Sequence, residues 1–295
     1  MTERNSRCRI KRDIVYKGYD TLVMENEKFR MTLLPGKGTD VVELLHKPTD
    51  TDFCWFTRSG LRRREPLFSG FQHQYEGGWQ EILPYIEGGS TAESAAMAYG
   101  EVSLVQWEYE VVKDDPEEIR VRFANRLRTV PLRLEKTVIL RTGDAGFRVE
   151  EKLVNESPCA VDYRWGHHIT FGEPFLQPGT LIDLPSRDQP FSVPEPGSPG
   201  GFEVLKAARP AYRLMRPDGI GAQVEWAGER WPYLWFWRDF GGEKEPPYFG
   251  MHYNVGLELF SSPPENGAGD SFPTKIMPYE TLDSFLDFKV LWDAH

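Results

Sequence analysis

The stretch Asn155–Gly172, NESPCAVDYRWGHHITFG, decides the fold. It opens on Asn155, Glu156, Ser157 and Pro158, residue types that favour a chain reversal. From Val161 it reads as a β-strand, in which successive side chains point to opposite faces. Val161, Tyr163, Trp165, His167, Ile169 and Phe171 share one largely apolar face. Asp162, Arg164, His168 and Thr170 share the other, which is polar and carries one imidazole. The same parity separates the adjacent histidines. His167 is expected as a hydrogen-bonded core residue, and His168 as a member of a polar cleft. A sheet that is greasy on one side and bears Asp, Arg and His on the other suits a sugar site.

The chain on both sides continues in the same idiom. Upstream, Glu101–Lys113, Ile119–Arg128, Leu132–Arg141 and Phe147–Asn155 read as four strands joined by short turns, an antiparallel meander. Residues 20–34 give two more strands around Glu25-Asn26-Glu27, and Val41–His46 another, after the glycine-rich loop Pro35–Gly38. Downstream, residues 173–218 are rich in Pro and Gly and read as a long surface excursion around a short strand at Asp183. The tail from Asp283 to Leu291 alternates again and should pair back as a closing strand. No helical period interrupts the series, which weighs against a βαβ fold. The expectation is all-β, a large antiparallel β-sandwich formed by residues 1–295 as one domain.

Composition limits the partners. Hydrophobic residues make up 40% of the 295, including nine tryptophans, enough for a sizeable core. A net charge of −10 argues against nucleic acid or anionic lipid, which recruit basic surfaces. Three cysteines without paired spacing, Cys8, Cys54 and Cys159, suit free thiols in a reducing compartment. No window approaches a membrane helix and the N-terminus has no apolar signal stretch, so a cytoplasmic protein is expected. No phosphate-binding glycine motif follows a strand, so a bound nucleotide is not expected.

A strand preceded by Asn-Glu and closing on Trp165-Gly166-x-His168-x-x-Phe171-Gly172 resembles the aldose 1-epimerase (galactose mutarotase-like) superfamily. The resemblance implies a sandwich of that type, the galactose mutarotase-like supersandwich. It also implies that His168 protonates a sugar ring oxygen. The opening strand, glycine-rich loop and strand are similar to the start of that fold. The segment Gly77-Gly78-Trp79, followed by Pro84, resembles the family's sugar-binding loop. Many members carry a histidine just before the glycine pair; here Tyr75-Glu76 stands there, and His73 is the nearest imidazole. On this reading Trp79 offers a flat face to a pyranose while Gln80 and Glu81 bond its hydroxyls; the alternative is a packing loop around a buried tryptophan.

Near the C-terminus, Tyr233, Trp235 and Trp237 share one face of an aromatic strand, either core or sugar-stacking platform. On the next strand Met251, Tyr253, Val255, Leu257 and Leu259 form an apolar face, and His252, Asn254 and Glu258 the opposite one. A carboxylate between leucines is costly to bury unpaired, so Glu258 either faces solvent or serves a site. The resemblance assigns that position the catalytic base. Mutarotation needs such a base for the C1 hydroxyl and an acid for the ring oxygen, and calls for no cofactor. The expected site is therefore His168 and Glu258 as the catalytic pair. His73, Trp79, Gln80, Glu81, Arg164, Trp237 and His252 surround the sugar, and no metal is expected. Rival readings are a metal site of His73, His168 and His252 with Glu258, a glycosidase pairing Glu258 with Glu81, and a non-catalytic sugar binder. Arg58 and Arg62–Arg64 leave open whether the sugar is a free aldose or a phosphate: the arginine run is either a solvated loop or a phosphate clamp.

Overall fold

A computed structural model describes residues 7–63, 71–84, 99–245, 248–264 and 274–292. Two large sheets face one another, and every pairing between their strands is antiparallel. The first has ten strands, in the order Arg9–Tyr16, Tyr19–Glu25, Phe29–Leu34, Asp40–His46, Trp79–Ile82, Gly166–Gly172, Asn254–Phe260, Tyr233–Phe240 and Ser198–Lys206, with Thr51–Asp52 paired beside Asp40–His46. The second has nine: Phe191–Ser192, Leu181–Asp183, Ala211–Met215, Gly221–Trp226, Thr281–Leu291, Gly146–Asn155, Leu132–Arg141, Glu118–Arg126 and Glu108–Asp114. The expected all-β antiparallel sandwich is what the chain forms. No helix among the described residues is long and apolar enough to cross a membrane.

Alternation builds the interface between the sheets. Along Thr281–Leu291, Leu282, Leu286, Phe288 and Val290 are buried while their neighbours are more exposed. Phe288 meets Phe29, Phe53 and Phe147 at centroid separations of 5.5–5.8 Å, joining strands of both sheets. Each fully buried side chain of this size contributes about 1.5–3 kcal/mol. Gly166–Gly172 lies at the centre of its sheet and is buried along its whole length. Asn155 makes the turn before it: its Nδ2 donates to the carbonyls of Cys159, Ile276 and Met277, and its Oδ1 accepts from Ser157 N.

Three expectations need correction. The strand expected from Glu101 begins at Glu108, because Trp107 turns inward and its Nε1 donates to Val102 O. The Pro/Gly-rich excursion contains an edge strand of the first sheet, Ser198–Lys206, besides short strands of the second. The stretch read as a sugar loop after Gly78 is a buried central strand, Trp79–Ile82. Gly77 and Gly78 are required at its entrance: both have positive φ, and a Cβ on either would collide with the carbonyls of Trp55 or Val41.

Candidate functional site

The register of the central strands sets side chains in rows on the outer face of the ten-stranded sheet. Gln80 pairs with His168. The pairs His167–Leu259 and Thr170–Gly256 bracket His168 against Glu258, and Glu258 pairs in turn with Trp235. Gln80, His168, Glu258 and Trp235 thus form one row. The next is Thr170, Gly256, Trp237 and Phe202, and the third is Gly172, Asn254 and Asp239.

In the first row Nε2 of His168 lies 3.5 Å from Oε1 of Glu258, and both residues are buried. Gly256 gives the carboxylate its room. A Cβ there would stand 2.8 Å from Glu258 Oε1 and 3.1 Å from Trp237 Cε3, so the Glu258 side chain leans over the glycine toward the second row. Aromatic rings wall the pair: Tyr75, Phe71 and Trp237 lie 5.1, 6.0 and 6.2 Å from the imidazole. Removal from water disfavours the charged form of each group. Burial pushes the Glu258 carboxyl up to about 8 and the His168 imidazole down to about 4. Between those limits the pair together holds one proton.

Behind the imidazole, the Tyr75 hydroxyl lies 3.4 Å from His168 Nδ1 and donates to Thr170 Oγ1 at 3.3 Å; Thr170 donates to Gly78 O at 2.7 Å. Tyr75 occupies the position just before Glu76-Gly77, and this chain of hydroxyls fixes the ring that faces Glu258. Contacts this long are weak, so Tyr75→Phe should lower whatever proton transfer His168 performs less than tenfold. The same substitution should move the His168 ring resonances in ¹⁵N NMR spectra; unchanged resonances together with unchanged turnover would leave Tyr75 a packing residue.

The other expected residues divide by strand parity. Trp79 and Glu81 face the second sheet, away from the cleft, because they pair with Ile169 and His167. Trp79 Nε1 donates to His167 Nδ1 at 3.0 Å, which leaves the His167 proton on Nε2, 3.2 Å from Glu151 Oε2. Glu81 is bound by Lys136 Nζ at 2.8 Å and by Trp165 Nε1 at 2.9 Å. Neither residue can touch a sugar in the cleft, and a glycosidase pairing of Glu258 with Glu81 fails on the same ground. His167 is the core residue its parity predicted. The carboxylates of Glu81 and Glu151 and the His167 ring offer three ligand atoms within 4.8 Å of one another. They are sealed between the sheets, and Lys136 already supplies the cation at Glu81, so the set reads as a buried ion-pair network.

On the cleft face, Gln80 shares the row of His168; its Nε2 donates to Gly77 O at 2.5 Å, and its Oε1 has no partner among the described residues. Arg164 is buried, donates through Nε to Ser262 Oγ at 2.7 Å, and holds its guanidinium 5.8 Å from the Trp235 ring. Asp162 pairs with Lys275 instead. Trp237 is half-buried beside Gly256. His252 packs 5.0 Å from Trp55 and 5.3 Å from Tyr248, and burial lowers its pKa. His73 falls in the short helix Phe71–Gln74, and its side chain lies outside the described residues. Arg62 and Arg63 are exposed; Arg64 lies outside the described residues.

Trp55, which the sequence did not single out, and Tyr75, read there only as a departure from the expected histidine, both stand beside His168 or its neighbours. Trp55 comes from a non-adjacent segment and fits against Gly172, where any Cβ would strike its ring. A small residue in the histidine strand was the only local trace of it.

No protein-family model matches the chain, and no curated protein does. Solved structures do. A galactose mutarotase-like protein from Clostridium acetobutylicum superposes with a TM-score of 0.74 at 13% identity, covering 97% of this chain and 99% of the other. A protein of Synechocystis sp. PCC 6803 gives 0.71 at 16% identity, over 96% and 98% of the two chains. A candidate aldose 1-epimerase from Klebsiella pneumoniae gives 0.74 at 15% identity, over 97% and 83%. Identities this low speak for architecture alone, and with the two facing antiparallel sheets they show that this chain has the galactose mutarotase-like fold implied by its histidine strand.

Proposed function

We propose that the protein interconverts the anomers of an aldose by acid–base ring opening and closure, with His168 and Glu258 as the catalytic pair. The observation that carries this reading is the buried contact of 3.5 Å between an imidazole and a carboxyl whose pKa values burial moves in opposite directions, past one another. Groups perturbed in this way and set side by side on one sheet face are candidates for proton transfer. In the productive ionisation the pair's one proton sits on His168 instead of Glu258, so Glu258 takes the proton of the C1 hydroxyl while His168 delivers its own to the ring oxygen. The C1–C2 bond then rotates and the ring closes on the other face. Trp237 is the stacking surface for the pyranose, with Gln80 Oε1 and His252 in reach of its hydroxyls. Arg58, whose guanidinium touches at 3.1 Å the Sδ of Met251, the residue before His252, is the cation for a 6-phosphate substrate.

The test is anomer exchange by magnetisation-transfer NMR with glucose, galactose, mannose and their 6-phosphates. Acceleration of exchange in at least one sugar supports an epimerase; binding without acceleration would leave a carbohydrate-binding protein on the same fold.

The pH dependence follows from the proton count. Raising pH through about 8 removes the single proton from the pair, and lowering it through about 4 adds a second. Since turnover needs one donor and one acceptor, kcat/KM should be flat between these limits and fall outside both. An activity that rises steadily past pH 9 would exclude the pair as the proton-transfer machinery.

A further inference from the structure

The third row of the outer face contains polar atoms with no hydrogen-bond partner among the described residues. Asn254 is fully buried, yet neither Oδ1 nor Nδ2 has a hydrogen-bond partner among the described residues. Its strand neighbour Asp239 accepts the backbone N–H of Gly241 through Oδ1 at 2.9 Å, and its Oδ2 has no hydrogen-bond partner among the described residues. His252 Nδ1 lies 3.8 Å from that oxygen, beyond hydrogen-bond reach, and is also unpartnered among the described residues. Buried polar groups in proteins are nearly always satisfied, so a cluster of four such atoms at one place calls for a ligand.

We infer that Asn254, Asp239 and His252 form a hydroxyl-reading subsite for the end of the sugar remote from its anomeric carbon. The inference rests on the epimerase reading for the sugar's orientation. Asn254, Gly256 and Glu258 share one face of one strand, each about 7 Å from the next. Because the Glu258 carboxylate leans over Gly256, it stands only about one row from the Asn254 amide. A single pyranose on Trp237 bridges that gap, with C1 at Glu258 and the C3 and C4 hydroxyls at Asn254 and Asp239. The chemistry matches a vicinal diol. Each hydroxyl both donates and accepts; Asn254 supplies one donor and one acceptor, Asp239 Oδ2 accepts, and neutral His252 does either. Trp55, 5.0 Å from His252 and 6.1 Å from Trp237, closes the side of this subsite.

The test compares the aldose bound best in the panel above with its 2-, 3-, 4- and 6-deoxy analogues. Dissociation constants are read from tryptophan fluorescence, and anomer exchange is followed in parallel. Wild type should bind the 3- or 4-deoxy analogue about ten- to a hundredfold more weakly, because the subsite's buried groups are then left unpaired. Asn254→Leu should lose a similar factor on the parent sugar and discriminate no further against the analogue. It should also unfold at the same temperature or higher, since it removes an unsatisfied buried amide. Equal losses on parent and deoxy sugars, discrimination only at C2, or a lowered unfolding temperature with intact sugar selectivity would each overturn the subsite, the last by showing that ordered water alone satisfies Asn254. Deoxy discrimination without anomer exchange would overturn the epimerase reading and keep the subsite, whereas no binding of any sugar overturns both.

Discussion

Glu258→Gln should reduce anomer exchange by about 10³-fold or more while leaving the protein folded. A positioned proton-transfer group contributes on the order of 10²–10⁴ in rate. Glutamine keeps the shape of the side chain that leans over Gly256 but can neither take nor hold the proton. Because burial already favours the uncharged carboxyl, pushing it up to about 8, the neutral amide should fit without loss of stability. His168→Ala should cost a similar factor. The double variant should cost little more than either alone, since groups acting as one unit are grossly non-additive. The measurement is magnetisation-transfer NMR on all four proteins, with sugar affinity followed by fluorescence. Retention of more than a tenth of wild-type exchange in either single variant would remove that residue from the chemistry.

Lys136→Met should destabilise the fold by about 3–5 kcal/mol, the cost of stranding a buried charge by removing its partner. Lys136 reaches from the second sheet to Glu81 in the first, over the face of Trp107 at 5.0 Å. Burial alone would push the Glu81 carboxyl up, but Lys136 and His167 outweigh it and hold Glu81 below its ordinary value. Next to it, burial and the charge of Glu81 push Glu151 up to about 7. Without Lys136 the two carboxyls would share one sealed space with no lysine to balance them. Adding Glu81→Gln to Lys136→Met should therefore recover much of the loss. Urea unfolding of the two variants beside wild type decides the matter: a loss under 1 kcal/mol for Lys136→Met would show that the network bears no weight.

The first of these predictions rests on residues legible in the sequence, and the second on a pairing that was not. Strand alternation has a period of two, so the separation of His167 from His168 could be read without knowing any partner strand, and so could the shared face of Asn254 and Glu258. Trp79 and Glu81 were misplaced because Trp79–Ile82 followed a glycine pair and looked like loop. Their facing is settled only by pairing with Gly166–Gly172, some ninety residues away. The orphaned group at Asp239 was invisible for a similar reason: its meaning depends on the cross-strand register that sets it beside Asn254. Tyr75 was noted as a departure from the histidine expected before the glycine pair. Its contact with His168 depends on a short helix folding back over the sheet, for which four residues carry no periodic signal.

The back-to-back histidines have a consequence for how such a protein can change over evolutionary time. His167 fastens one sheet to the other and His168 faces the cleft, yet they are neighbours on one rigid strand. Substitutions on the outer face can therefore accumulate while the clasp beneath stays untouched, and drift in the clasp need not disturb the outer face. A one-residue insertion in Gly166–Gly172 is a different matter. Placed before His167, it would exchange the faces of both imidazoles at once, losing the clasp and taking His168 off the outer face. Point substitution is the open route to change here, and length change in this strand is the closed one.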